Sequence, residues 1–133
     1  MRRILPPALL IAIGLTACDT RPPPRAPIKV TSQEQQQLHK LDAFNLAIGL
    51  KRAIYAAGYT CKRVTDAGFI GTYKNLDMWA AHCVYDKAPA RDWAIFAGTD
   101  GSAQVRDCRD IPGTGLPTCE IKRRPKGSFT EVK

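Results

Sequence analysis

No apolar run in this chain is long enough to cross a bilayer. The longest, Ile4 to Ala17, is fourteen residues, against the roughly 17–25 that a spanning helix needs. None of the five cysteines stands in a Cys-x-x-Cys pair, which removes the usual spacing of a redox site or a zinc knuckle. Histidine occurs only twice, as His39 and His82, too far apart to suggest a shared site. Neither a metal nor a cofactor is therefore expected. Asp66, Asp77, Asp86, Asp92, Asp100, Asp107 and Asp110 fall mostly where strands end and turns begin, places where Asp favours local backbone bonds. No spacing among them singles out an acid/base pair, so no catalytic residue is assigned. No internal repeat is visible. Acidic residues are also few, twelve against twenty basic, for a formal charge of +8. That excess is unevenly spread. Val30 to Ile121 holds ten basic and ten acidic residues, whereas Lys122 to Lys133 holds five basic and one acidic. A near-neutral domain with basic ends, and without a basic face interleaved with aromatics, argues against nucleic acid as a partner.

What is present begins with Arg2-Arg3, the short apolar run, and Leu15-Thr16-Ala17-Cys18. A charged start, a short apolar core and small residues at its end make an export signal, not a membrane span. The four-residue string resembles the lipobox of bacterial lipoproteins. The resemblance covers Met1 to Cys18 alone. It implies cleavage before Cys18, acylation of that cysteine (palmitate among the chains) and attachment to the membrane through the lipid. The domain then faces the periplasm of a bacterial envelope. Asp19 directly after the cysteine resembles the retention signal of enteric inner-membrane lipoproteins, which favours the inner over the outer membrane.

The chain divides into a signal peptide (1–17), a lipidated cysteine and tether (18–30), one domain (31–121) and a basic disordered tail (122–133). Pro22-Pro23-Pro24 and Pro27, with three basic residues and little to bury, make the tether semi-extended. Thr31-x-x-Glu34 and Ser32-x-x-Gln35 both fit a capping box. Leu38, Leu41, Phe44 and Ile48 recur at helical spacing, joined by Leu46, Leu50, Ala53, Ile54 and Ala57. One long helix is expected, ended by Gly58. The period then becomes two. Strands are expected over Tyr59–Val64, Met78–Tyr85, Asp92–Ala97 and Ala103–Cys108, with Asp66–Asn75 a connection and Gly98-Thr99-Asp100-Gly101 a turn. The expected fold is α+β: one long N-terminal helix packed on a three- to four-stranded antiparallel meander, stapled by disulfides.

Cys18 apart, the cysteines form an even set in an exported small domain, which favours disulfides. Four cysteines allow three pairings. Cys61–Cys83 and Cys108–Cys119 are chosen because both close local loops. His82 beside Cys83 would make a nucleophile only with a free thiolate. Trp79, Tyr85 and Trp93 lie on adjacent strands; they pack the core, or, on a face away from the helix, form an exposed patch for a protein partner. Lys122, Arg123, Arg124 and Lys126 make the densest charge run, suited to a solvated tail or to anionic lipid heads. The expected role is non-catalytic, as an accessory or binding subunit of an envelope assembly with a protein partner. Alternatives are an inhibitor or exclusion lipoprotein that blocks an incoming enzyme or transfer machine, and, with least support, a small hydrolase.

Overall fold

A computed structural model describes residues 31–129; the signal peptide, Cys18, Asp19, the tether and residues 130–133 lie outside them. Helix α1 spans Gln33–Lys40. The Ser32 side chain accepts from the Gln35 amide at 3.2 Å while the Gln35 side chain accepts from the Ser32 amide at 3.0 Å, closing the capping box. The expected single long helix is not formed. The chain leaves the helical region at Leu41 (ψ 143°) and Asp42 (ψ 172°), and a second helix, α2, runs Ala43–Ala56. Two contacts make the break. The Asp42 carboxylate accepts from the Asn45 amide at 2.8 Å, and the Ala43 amide donates to the Lys126 carbonyl at 2.8 Å instead of to the preceding turn. Gly58, at φ 87°, ends α2 with Gly58 N–H on the Tyr55 carbonyl and Tyr59 N–H on the Ile54 carbonyl.

Four strands follow as an antiparallel meander in the order β1-β2-β3-β4: β1 Arg63–Tyr73, β2 Leu76–Val84, β3 Arg91–Ala97 and β4 Ala103–Asp107. The sequence pattern places the first strand at Tyr59–Val64, whereas Asp66 to Tyr73, within the expected connection, forms most of β1. Two register shifts, between Val64 and Asp66 and between Phe69 and Gly71, break its alternation. Those bulges erase the period-two signal on which a strand is recognised.

Both faces of the sheet are covered. On one, Leu46, Leu50 and Ile54 of α2 pack on Val64, Ala67, Trp79, Ala81, Cys83, Trp93, Ile95 and Val105. On the other, Ile111 with Leu116, Cys119 and Ile121 covers Ile70, Met78, Ala80, Ala94 and Phe96. Each layer holds a disulfide: Cys61–Cys83 on the helix side and Cys108–Cys119 in the loop layer, with Cα separations of 5.4 and 5.9 Å. Rings of this size contribute about 3 kcal/mol each by restricting the unfolded chain.

Residues 122–129 are not a tail but a strap across β1. Phe69 N–H donates to the Arg123 carbonyl at 2.8 Å, Lys122 N–H donates to the Phe69 carbonyl at 2.9 Å, and Phe129 packs against the helix-side core. The domain therefore extends past residue 121. The crossing depends on Gly68, where a Cβ would stand 2.4 Å from Ile121 Cγ2 and 2.6 Å from the Arg123 carbonyl oxygen. Gly68→Ala should accordingly destabilise the domain by about 1–3 kcal/mol through overpacking. Gly71→Ala, where an added Cβ meets nothing within 4 Å, should be close to neutral. Thermal denaturation of the two variants side by side checks both.

Candidate functional site

Trp79 and Trp93 are each 3% exposed and lie under the helices. They do not form an exposed patch, because the face they share is the one α2 covers. Tyr85 ties into the same core: Trp93 Nε1–H donates to its hydroxyl at 3.3 Å, and that hydroxyl donates to the Thr60 carbonyl at 2.6 Å. Among the described residues, the large hydrophobic side chains that are exposed are Phe44, Tyr55 and Tyr59. Tyr59 stacks on Trp93 with ring centroids 4.6 Å apart.

A groove of about 480 Å³ opens where the α1–α2 junction meets the strap. His39, Lys40 and Asp42 form one side, Arg123, Arg124 and Lys126 the other, and Trp79 contributes to its wall. His39 is the tie between the two sides. Its Nε2 lies 2.8 Å from Asp77 Oδ2, and Arg123 Nη2 bonds its Nδ1. A guanidinium can only donate, so Nδ1 is the acceptor and Nε2 carries the proton given to Asp77. Asp77 is almost fully buried and also accepts from the Thr72 hydroxyl at 3.2 Å, which satisfies both oxygens of a carboxylate that would otherwise be costly to bury. The imidazole is wedged between Phe69 and Trp79, with centroids 4.7 and 4.9 Å away, and the Arg123 guanidinium lies over the Phe69 ring at 5.0 Å. With both ring nitrogens engaged, His39 acts as a staple between β2, α1 and the strap. Sequence spacing could not reveal this, since the partners stand 38 and 84 residues away.

No family model, curated protein or solved structure matches this chain.

The basic run divides once its partners are counted. Lys122 pairs with Glu120 at 2.8 Å, and Arg124 grips Asp66 through two bonds of 3.0 and 2.8 Å. The Arg123 side chain hydrogen-bonds His39 and no carboxylate, and Lys126 has no ion-pair partner among the described residues. Hydrogen bonds from Arg124 hold the Asp66 carboxyl below its ordinary value, with the arginine charge adding to the effect. The other histidine stands away from the groove: His82 Nδ1 is 2.5 Å from Asp92 Oδ1 on the opposite face of the sheet. Its neighbour Cys83 is oxidised, so no Cys-His nucleophile exists there. No group of three His, Cys, Asp or Glu side chains suited to a metal occurs among the described residues.

Two outcomes follow from this geometry. Trp93→Ala removes a fully packed indole and should destabilise the domain by about 3–5 kcal/mol in thermal or denaturant unfolding. For Asp66, a carboxyl held below its ordinary 3.8 adds stability that is present above that pH and lost as acid titrates it through the lowered folded value. The stability difference between the native chain and Asp66→Asn should stay constant from neutral pH to about 4 and shrink below it, as urea unfolding at stepped pH would show.

Proposed function

We propose that this chain is a lipid-anchored subunit of a bacterial envelope assembly, acting by binding and not by catalysis. The observation that carries this reading is the string Leu15-Thr16-Ala17-Cys18 behind a short export signal, followed by a proline-rich stretch and then a compact domain. Acylated Cys18 would hold the chain at the membrane. The tether from Asp19 to Val30, semi-extended at about 3.1 Å per residue, would set the domain on the order of 35 Å away. One feature supports the reading. Both disulfides need an oxidising compartment, which agrees with export. No helix among the described residues is long and apolar enough to cross a membrane. Non-catalytic action is supported by His39, whose two ring nitrogens hold Arg123 and Asp77 together. Attachment to the inner membrane follows the same reading through Asp19.

Metabolic labelling with a fatty acid tests the anchor. The native chain should take up label and Cys18→Ser should not; equal labelling of the two removes the proposal. Attachment should also survive high salt, because burying acyl chains is a hydrophobic term that salt does not screen. Purification of the lipidated chain from mild detergent then tests the subunit role. A defined envelope protein should copurify in constant ratio, and a chain recovered alone from every preparation would sink that part.

A further inference from the structure

The groove at the α1–α2 junction is built from residues that play no part in the anchor. We propose that it binds a phosphate-class oxyanion, held by Lys40, Arg123 and Lys126. Four cationic side chains line it against a single lining carboxylate, Asp42, and the oxygens of the nearby carboxylates are hydrogen-bonded. Asp42 caps α2 through the Asn45 amide and side chain, Asp66 is bound by Arg124, and Asp77 lies behind His39 and Thr72. That leaves Lys40, Arg123 and Lys126 as cations without a carboxylate partner among the described residues. Three unpaired cations around one concavity repel one another, and a shared anion relieves that repulsion.

Trp79 gives the groove a reporter in its wall. Trp79, 3% exposed, lines the same groove, and its indole Nε1 is the buried side-chain polar atom left without a hydrogen-bond partner among the described residues. An unsatisfied buried donor costs about 1–3 kcal/mol, so such groups are uncommon and need an explanation. A tetrahedral oxyanion presents more acceptor oxygens than a carboxylate and can serve lysine and guanidinium donors together. Leu38, Leu41 and Pro125 complete the lining, giving an apolar wall for the organic part of a phosphate ester. The groove's 480 Å³ falls in the range of small-ligand sites.

The ester could be a soluble molecule or the headgroup of a lipid, and the test separates the two. The full chain, labelled with nitrogen-15 and held in neutral detergent, is titrated with inorganic phosphate and then with glycerol phosphate, using potassium chloride at matched ionic strength as control. The Trp79 indole N–H resonance should move with phosphate and not with chloride, while that of Trp93, already bonded to Tyr85, stays in place. Lys40→Ala with Lys126→Ala should weaken the titration by about tenfold. Both lysines are exposed, so the fold should persist, and Lys87→Ala, outside the groove, should change nothing. In a second arm the chain is placed in nanodiscs of phosphatidylcholine with or without phosphatidylglycerol. A shift in detergent identifies a soluble ester as ligand, and a shift confined to phosphatidylglycerol discs identifies the headgroup. If Trp79 moves in neither arm, or moves equally in the double lysine variant, the site does not exist. Neither result bears on acylation of Cys18.

Discussion

The strap of residues 122–129 can cross β1 only where the strand has no side chain in its path, and Gly68 is that place. Much of the molecule depends on this crossing. The Arg123 and Lys122 backbones bond Phe69 on either side of it, and three residues later the Lys126 carbonyl reaches the Ala43 amide. That last bond separates α1 from α2, because an amide held by the strap is not available to continue a helix. The break in turn swings His39 and Lys40 toward Arg123, Arg124 and Lys126, and the groove is the space between them. One backbone crossing thus links helix geometry, core closure and the candidate binding site.

Burial on both faces of a four-stranded sheet is demanding for a small domain. β2 and β3 are buried along most of their length, which requires a cover on the side away from the helices. That cover is a loop with little regular structure of its own. Its apolar contribution rests on Ile111, Leu116, Cys119 and Ile121, and Cys108–Cys119 closes it into a short ring. A loop layer has few internal hydrogen bonds to hold its shape, so the covalent staple replaces them by limiting the unfolded ensemble. The helix layer has its own bridge, Cys61–Cys83, set directly beneath α2. Small domains with limited cores depend on such staples, and here one serves each side.

The His39 staple shows how polar groups are accommodated where the layers meet. Asp77 sits near the start of the central strand β2, almost fully buried, and would be expensive there alone. His39 and Thr72 satisfy it, and Arg123 completes the chain of donors out to the surface. A buried network of this kind is favourable only when every member has a partner. The neighbouring indole of Trp79 lacks one among the described residues.

Features that depend on neighbours a few residues apart were legible in the sequence. The Ser32–Gln35 box, the Gly58 cap, the span of β2 to β4, the turn at Gly98 to Gly101 and the presence of disulfides all follow from local chemistry or from cysteine parity. The helix periodicity through Leu38, Leu41 and Phe44 was real but gave no sign of a break, since the bond responsible joins Ala43 to a residue far along the chain. Bulges hid β1 by disrupting its alternation. Composition alone made residues 122–133 look solvated, whereas the backbone groups of Lys122, Arg123 and Lys126, which composition does not describe, anchor the strap. The same holds for the aromatics: adjacency of Trp79 and Trp93 in the sheet could be read from the strand pattern, but which face the helices would cover could not. By itself, then, the sequence determined the caps, the turns, most strands and the oxidised cysteines, because those are set by short-range sterics and hydrogen bonding. Only the tertiary structure decided the helix break, the strap and the groove, because each depends on contacts between residues distant in the chain.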